Sequence, residues 1–445
     1  MKYDFAVIGA GPGGYVAAEK AGKAGLGTVL FEPASFGGVC LNEGCIPTKT
    51  LLHCAKTYAS AKGGEKSGIT AAEFSYDWSK MQERKVRVIR RLAGGIKAGL
   101  RDAGVTVVPS AAQIRGRNAS GDIVIEAGGE TYEAGKLLVC TGSEPVIPPI
   151  PGLNESDAVC TSTRLLEIEE VPESLVIVGG GVIGMEFASL FNMLGTKVSV
   201  VEMAGEILGG MDTEAAALIR GIYSKRGVEF HLGCRVSAIE GCEVVFTDPS
   251  GAVCRVGGEK ILLSVGRRPR LNGYGLETLE VRCDRGIGVD SHMRTSAPGV
   301  YAAGDVTGFS MLAHTASREG EVAVNDILGV DDEMSYRAVP GVVYTSPEAA
   351  SVGLTEEQAP QADVFRIPMA FSGRYVSENE DIAGFCKIVA EKGSGRILGL
   401  HMVGTPCSEI ISSGCLAIEA GLTLQDLRRT VFPHPSVSEI LKAGI

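Results

Sequence analysis

The same strand–glycine–helix arrangement occurs twice in this 445-residue chain, 170 residues apart. Residues 4–14 read DFAVIGAGPGG and residues 174–184 read SLVIVGGGVIG. Gly9, Gly11 and Gly14, and again Gly179, Gly181 and Gly184, satisfy G-x-G-x-x-G. In such a loop the first glycine makes the tight turn, the second lets a pyrophosphate approach the backbone, and the third lets the helix pack on the strand. The amides and dipole at the helix start then favour the phosphate charge. An acid is needed at the end of the next strand to bond the ribose hydroxyls. Glu32 closes TVLFE and Glu202 closes KVSVVE, each eighteen residues after the last glycine of its loop. One such loop in a chain of 60 glycines is weak evidence; two, each with its acid at matched spacing, are strong. A carboxylate at Glu202 repels a 2′-phosphate, so NAD rather than NADP is expected in the second module. Two dinucleotide sites in one chain suggest an electron relay, in which one nucleotide delivers hydride and the other, if a flavin, stores it.

The chain between and beyond these modules sets the expected boundaries. The stretch Glu144–Gly152, EPVIPPIPG, holds four prolines and reads as a semi-rigid connector. The expected organisation is residues 1–147 as a first dinucleotide-binding domain, 148–268 as a second, 269–336 as a return segment of the first, and 337–445 as a separate α+β domain. Within the last, VVYTSPEAASVGL, GFCKIVAE and RILGLHMVG read as antiparallel strands, and 408–421 as a helix. The fold class is therefore α/β, with two Rossmann-like domains and a C-terminal α+β domain. Lys and Arg number 42 against 53 Asp and Glu, a net charge of −11, which argues against nucleic acid and against a polybasic membrane anchor. No run of about 18 uncharged apolar residues predicts a membrane span. Residues 1–8, MKYDFAVI, start a strand with no leader pattern, so a cytoplasmic protein is expected.

Ten of the twelve cysteines are scattered and read as small buried hydrophobes in a reducing compartment. The other two, Cys40 and Cys45, stand in GGVCLNEGCIPTKTLL at 37–52. On a continuous helix their spacing corresponds to about 7.5 Å of rise, beyond the reach of a disulfide, so Cys40 is expected on a loop with the chain folding back at Gly44. Pro47 suits the first turn of a helix beginning near Cys45. The positive end of that dipole should lower the Cys45 thiol pKa, which suits Cys45 to hold negative charge beside an oxidised ring and Cys40 to exchange with an outside disulfide. Zinc lacks a second pair of ligands nearby, and two inert thiols are the plain alternative; placement just after a nucleotide-binding strand favours a redox-active disulfide. No metal is expected.

At this point the chain resembles the flavin-dependent pyridine nucleotide–disulfide oxidoreductases, over nearly its whole length. GGVCLNEGCIPTK is similar to the family's redox segment, commonly GGTCLNVGCIPSK, from which Val39, Glu43 and Thr48 depart; VCTGS at 139–143, TSAPGVYAAGD at 295–305 and HPSVSE at 434–439 resemble three further segments. The resemblance implies FAD in the first fingerprint and NAD in the second, with Thr141, Gly142 and Gly266 among the cofactor contacts. It implies that Asp305, ending a strand, accepts from the ribityl chain, that Lys49 lies near the flavin N5 and pairs with Glu186, and that His434 and Glu439 form a base and its orienter, delivered across a homodimer. The implied reaction oxidises a dihydrolipoyl group on a lipoyl-carrier protein, or on the acyltransferase of a 2-oxoacid dehydrogenase or glycine cleavage complex, through Cys40 and Cys45 and reduces NAD⁺. A glutathione-type reductase and a non-catalytic scaffold subunit are the rival readings. The other histidines, His53, His231, His292 and His401, read as structural, and His314 as flavin-adjacent.

Overall fold

A parallel strand covered on both faces must be apolar where it is covered, and the run FAVI meets that demand: Phe5, Ala6, Val7 and Ile8 are all buried in the strand Lys2–Ile8. The computed structural model describes all 445 residues, which divide into two units. The first comprises Met1–Thr50, Ser79–Val146 and Gly266–Ser335. Its sheet runs Thr106–Val108, Thr28–Phe31, Lys2–Ile8, Glu130–Val139 and Val300–Ala302, all parallel. The first half of Glu130–Val139 also pairs antiparallel with Ile123–Ala127, which pairs with Ala112–Arg117. The helices Pro12–Lys23 and Ala313–Ile327 approach closely through small residues. A Cβ on Gly320 would lie 2.4 Å from the Gly13 carbonyl oxygen.

The second unit comprises Leu51–Trp78, Ile147–Val265 and Tyr336–Ile445. It repeats the parallel theme in the order Glu229–His231, Lys197–Val201, Ser174–Val178, Lys260–Leu263, Val159–Thr161. In both units the fingerprint strand is flanked by a strand, Thr28–Phe31 or Lys197–Val201, that leads directly into the paired acid. A three-stranded antiparallel sheet, Arg235–Glu240, Glu243–Thr247 and Val253–Gly257, follows. The C-terminal part is a five-stranded antiparallel sheet, Gly341–Val343, Ala349–Gly353, Ile397–Val403, Phe385–Ala390 and Asp363–Pro368. It is covered by the helix Cys407–Glu419, which buries Ile410, Ile411 and Ile418 at the spacing read from sequence. The fold class is thus the α/β one expected, with a C-terminal α+β domain.

One buried ion pair stitches the nucleotide-binding part of the second unit to its C-terminal sheet. Lys387, 3% exposed on the strand Phe385–Ala390, places Nζ 2.9 Å from the fully buried Asp212 and 3.0 Å from Glu214. Asp212 also caps the helix Thr213–Lys225 by accepting from the Ala215 amide at 3.0 Å. Burial draws the Lys387 pKa down, but Asp212 and Glu214 outweigh it and the net shift is upward. No helix is long and apolar enough to cross a membrane.

Candidate active site

The two glycine loops have matching geometry. Gly9 has φ +100° and Gly179 φ +105°, a region that disfavours side chains. A Cβ on Gly9 would lie 2.3 Å from the Cys140 carbonyl oxygen, and one on Gly179 2.4 Å from that of Ser264. A Cβ on Gly14 would meet the Gly9 carbonyl oxygen at 1.8 Å, and one on Gly184 that of Gly179 at 2.1 Å. The first and third glycines are therefore required by the chain's own packing. The middle ones are not: no atom lies within 4 Å of a Cβ on Gly11 or Gly181. Each opens into space at the start of a helix, Pro12–Lys23 or Val182–Leu194, where a pyrophosphate fits.

The paired acids repeat this correspondence atom by atom. Glu32 accepts from the amides of Ala10 at 2.8 Å and Ala34 at 2.9 Å. Glu202 accepts from Gly180 at 2.6 Å and Ala204 at 2.7 Å. Each carboxylate is fixed beside its loop by backbone alone, with lone pairs left for ribose hydroxyls. Both cradles fit a dinucleotide.

The cysteine segment packs directly on the first cradle. The Gly37 amide donates to the Ala10 carbonyl at 2.8 Å, and a Cβ on Gly38 would lie 2.8 Å from the Gly11 Cα. Asn42 Nδ2 donates to the Phe36 and Gly38 carbonyls at 3.0 and 2.8 Å and holds this turn closed. The expected loop at Cys40 is not found: Cys40 lies in a short helix, Gly38–Glu43. That helix breaks at Gly44, and a new one, Cys45–Lys62, begins at Cys45 with Pro47 in its first turn. The break replaces a continuous helical rise by a turn and brings the sulfurs together. Both are thiols here. Cys40 donates a hydrogen bond to Cys45, and this bond, followed by burial and the charge at Cys45, raises the Cys40 pKa, while Lys49 pulls it the other way. Tyr15, on the helix Pro12–Lys23, has its pKa raised chiefly by burial.

Asp305 is held from a direction the sequence did not disclose. It lies past the strand Val300–Ala302, at the start of a 3₁₀ turn, Asp305–Thr307, rather than ending the strand. Its Oδ2 accepts from the Ser143 hydroxyl at 2.5 Å. Ser143 Oγ in turn accepts from Arg267 Nε at 2.8 Å, and the Ser143 carbonyl accepts from Arg267 Nη2 at 2.9 Å. Ser143–Pro145 and Arg267–Pro269 pair antiparallel, so the bracing residues sit where the chain leaves the first unit and returns to it. Around them, Thr141 Oγ1 donates to the Arg270 carbonyl at 2.7 Å, Arg270 N donates to the Gly142 carbonyl at 2.9 Å, and the Gly266 carbonyl accepts from Val146 N at 3.0 Å. Burial lowers the Arg267 pKa and the nearby Asp305 opposes it, with Arg270, Glu43 and Cys45 as lesser influences. Cys45 and Asp305 therefore share one electrostatic neighbourhood with Arg267.

The remaining expected residues fall in both units. Lys49 is half-buried in the first turns of the helix Cys45–Lys62, four residues after Cys45. Glu186 is 4% exposed on the helix Val182–Leu194, and its Oε1 accepts from the Tyr344 amide at 3.1 Å. In the second unit His434 Nδ1 lies 3.0 and 3.2 Å from the two Glu439 oxygens, and Glu439 also accepts from the Ser436 amide at 2.9 Å. The His434 side chain is 82% exposed. It stands beside a cleft of about 380 Å³ lined by Phe371, Arg428 and Lys442 among others. His401 is buried, with Nε2 2.9 Å from the Leu354 carbonyl.

Comparison with known proteins agrees with this geometry. Residues 3–320 match the profile of the pyridine nucleotide-disulphide oxidoreductases, and residues 339–444 match that family's dimerisation domain. The chain is 38% identical over 443 residues to a dihydrolipoyl dehydrogenase of Geobacillus stearothermophilus, covering 98% of this chain and 93% of that one. It is 40% identical over 449 residues to one of Thermus scotoductus, covering 98% and 95%. Among solved structures it superimposes on LpdA from Mycobacterium tuberculosis with a TM-score of 0.89 at 27% identity, covering 99% of this chain and 98% of that one. It matches a Cu(II) complex of the HOCl-induced flavoprotein disulfide reductase RclA from Escherichia coli with a TM-score of 0.87 at 28% identity, covering 99% of each. With its paired cradles, its thiol pair and its matched C-terminal domain, the chain belongs to the pyridine nucleotide–disulphide oxidoreductase family.

Proposed function

We propose that this chain is a dihydrolipoyl dehydrogenase, which oxidises a protein-bound dihydrolipoyl group to its cyclic disulfide and reduces NAD⁺. The observation that carries the reading is the seat of Cys40 and Cys45 on the first glycine loop, tied by the Gly37–Ala10 hydrogen bond. The relatives named dihydrolipoyl dehydrogenase, similar over nearly the full length, support the substrate class. The first cradle takes FAD and the second NAD. Asp305, braced by Ser143, offers its remaining oxygen to the ribityl hydroxyls, and Glu202 favours NAD over NADP. Lys49, one helical turn after Cys45, acts at the flavin.

The chain works as a homodimer, supported by its match to the dimerisation domain. His434 of the partner subunit takes the proton from one substrate thiol. A histidine held by a carboxylate is suited to this near neutral pH. The thiolate attacks Cys40 of the disulfide; a bond forms to Cys40 Sγ, and Cys45 leaves as thiolate. The second substrate thiol gives its proton to solvent, and its thiolate attacks the substrate sulfur bonded to Cys40; the bond between that sulfur and Cys40 Sγ breaks, the cyclic disulfide leaves, and Cys40 takes the proton held by the partner's His434 and donates to Cys45 as in the geometry here. FAD, when bound, carries the electron pair from the cysteines to NAD⁺. The protein is expected in the cytoplasm, in keeping with the ten scattered cysteines that stand as thiols, serving a 2-oxoacid dehydrogenase or glycine cleavage complex.

The test uses the purified holoenzyme. Dihydrolipoamide with NAD⁺ should turn over well above glutathione disulfide with either reduced nicotinamide nucleotide. Cys45→Ser should abolish dihydrolipoamide oxidation and leave dye reduction by NADH. Normal oxidation by that variant would overturn the scheme.

A further inference from the structure

The helix Trp78–Asp102 carries eight basic residues and two acidic ones, in a chain whose net charge is −11. Its buried side is set by Trp78, Lys85 and Leu100. Arg84, Arg87, Arg90 and Arg91 are all exposed. Arg84, Arg87 and Arg91 recur at i, i+3 and i+7, so they form one stripe along the helix. None of the four makes an ion pair or a hydrogen bond within the chain, unlike Arg101, which pairs with Asp102 at 3.0 Å, and Lys97, which lies 5.2 Å over the Phe36 ring. The cations of a solvated helix face are commonly neutralised by acids three or four residues away; here the sole acid within four residues of any of these arginines is Glu83, four before Arg87, and it pairs with none of them. The same face then flattens at Gly94 and Gly95, both exposed. A Cβ on either would meet nothing within 4 Å. Two glycines inside an exposed helix weaken it, and nothing in the chain's own packing asks for them. They leave backbone open to approach from outside, beside a stripe of unneutralised charge. Val86 and Leu92, 38% and 42% exposed, add apolar surface next to it.

We propose that this face, Arg84, Arg87, Arg90 and Arg91 with Gly94 and Gly95, is the docking surface for an acidic carrier domain that presents the dihydrolipoyl group. The inference rests on the dihydrolipoyl dehydrogenase reading and adds to it the sign and position of the carrier contact. An unneutralised basic stripe selects an acidic partner and speeds encounter at low salt. Because the charges are exposed and the Debye length is about 8 Å at physiological ionic strength, the attraction must fade as salt rises. The remainder of the chain, predominantly acidic, repels such a partner and leaves this stripe as the favoured approach.

The experiment compares the wild-type holoenzyme with an Arg84→Glu/Arg87→Glu/Arg91→Glu variant and with the matching Gln variant. Each is assayed with free dihydrolipoamide and with a dihydrolipoyl-bearing acidic carrier domain over a salt series, while binding of the unlipoylated carrier is measured separately by titration. The expected result is a fall of roughly tenfold or more in kcat/KM for the carrier with the Glu variant and a smaller fall with the Gln variant. The salt dependence of the wild type should flatten in both, and the rate with free dihydrolipoamide should stay within about twofold. Carrier turnover that is salt-independent or unchanged in the Glu variant overturns the proposal. A parallel fall with both substrates overturns it too, because the face would then serve chemistry rather than docking. So does a change in oligomeric state, which would assign the face to self-association, or loss of oligonucleotide binding with carrier turnover intact, which would assign it to nucleic acid. If the wild type binds the unlipoylated carrier through this face yet oxidises no dihydrolipoamide, it is the functional reading that fails, and the docking surface stands.

Discussion

His434 faces solvent, yet its ring is not free to turn. Both Glu439 oxygens lie within 3.2 Å of Nδ1, and Glu439 is itself anchored by the Ser436 amide. That amide first, and His434 second, hold the Glu439 carboxyl below the usual carboxylate range. A depressed carboxylate pKa means that the contact is intact above the ordinary value and is lost as pH falls through the lowered one, so the ring stays oriented well into mild acid. His434→Gln should lower dihydrolipoamide oxidation by about 10²–10⁴-fold and leave NADH-dependent dye reduction within about twofold; Glu439→Ala should lose less and show its acid limb displaced in a pH profile. At this scale the histidine and its acid were legible through the resemblance of HPSVSE to a segment of the family, because both lie within those six residues. Ser143 and Arg267 were not, because they reach Asp305 from 162 and 38 positions away in the chain, and only the pairing of two three-residue strands brings them together.

Among the elements, the two strand–glycine–helix units make a distinction that mutagenesis can read. Gly14→Ala drives a methyl to within 1.8 Å of backbone, and should yield protein that misfolds or lacks flavin. Gly11→Ala finds open space in the chain; it should fold and bind FAD weakly. Gly181→Ala should fold, keep its flavin and show a raised KM for NAD⁺. Flavin absorbance, circular dichroism and steady-state kinetics separate these three outcomes, and a Gly181→Ala enzyme with unchanged KM would remove the second cradle from the mechanism. Strand, turn and helix were readable in these units because glycine spacing and apolar runs are local signals. The short helix around Cys40 was not. Six residues give less than two turns of periodicity, and Gly37, at φ +92°, and Gly44 close it at either end by backbone geometry that leaves no apolar pattern.

At the scale of the whole molecule, stability depends on contacts that no window of sequence contains. Lys387 and Asp212 are 175 residues apart and nearly unexposed. Lys387→Met would strand a buried carboxylate and should cost about 3–5 kcal/mol, measured as a lower denaturation midpoint, with part recovered in the Lys387→Met/Asp212→Leu double variant. Because burial is outweighed and the lysine's pKa is raised, the pair's contribution is complete below the ordinary lysine range and fades as pH rises through the raised value; the wild-type advantage should shrink in strong alkali. The fold class was legible from repetition and strand patterning, while this cross-link was not, since a lone lysine in a β-strand carries no sign that it is buried. The correspondence of Glu32 with Glu202 reaches further. Each is gripped by the amide before the middle glycine of its loop and by the amide two residues after itself. An adenylate fragment would therefore meet the same handhold in either module, and what tells the cofactors apart must be written in the parts that were not duplicated.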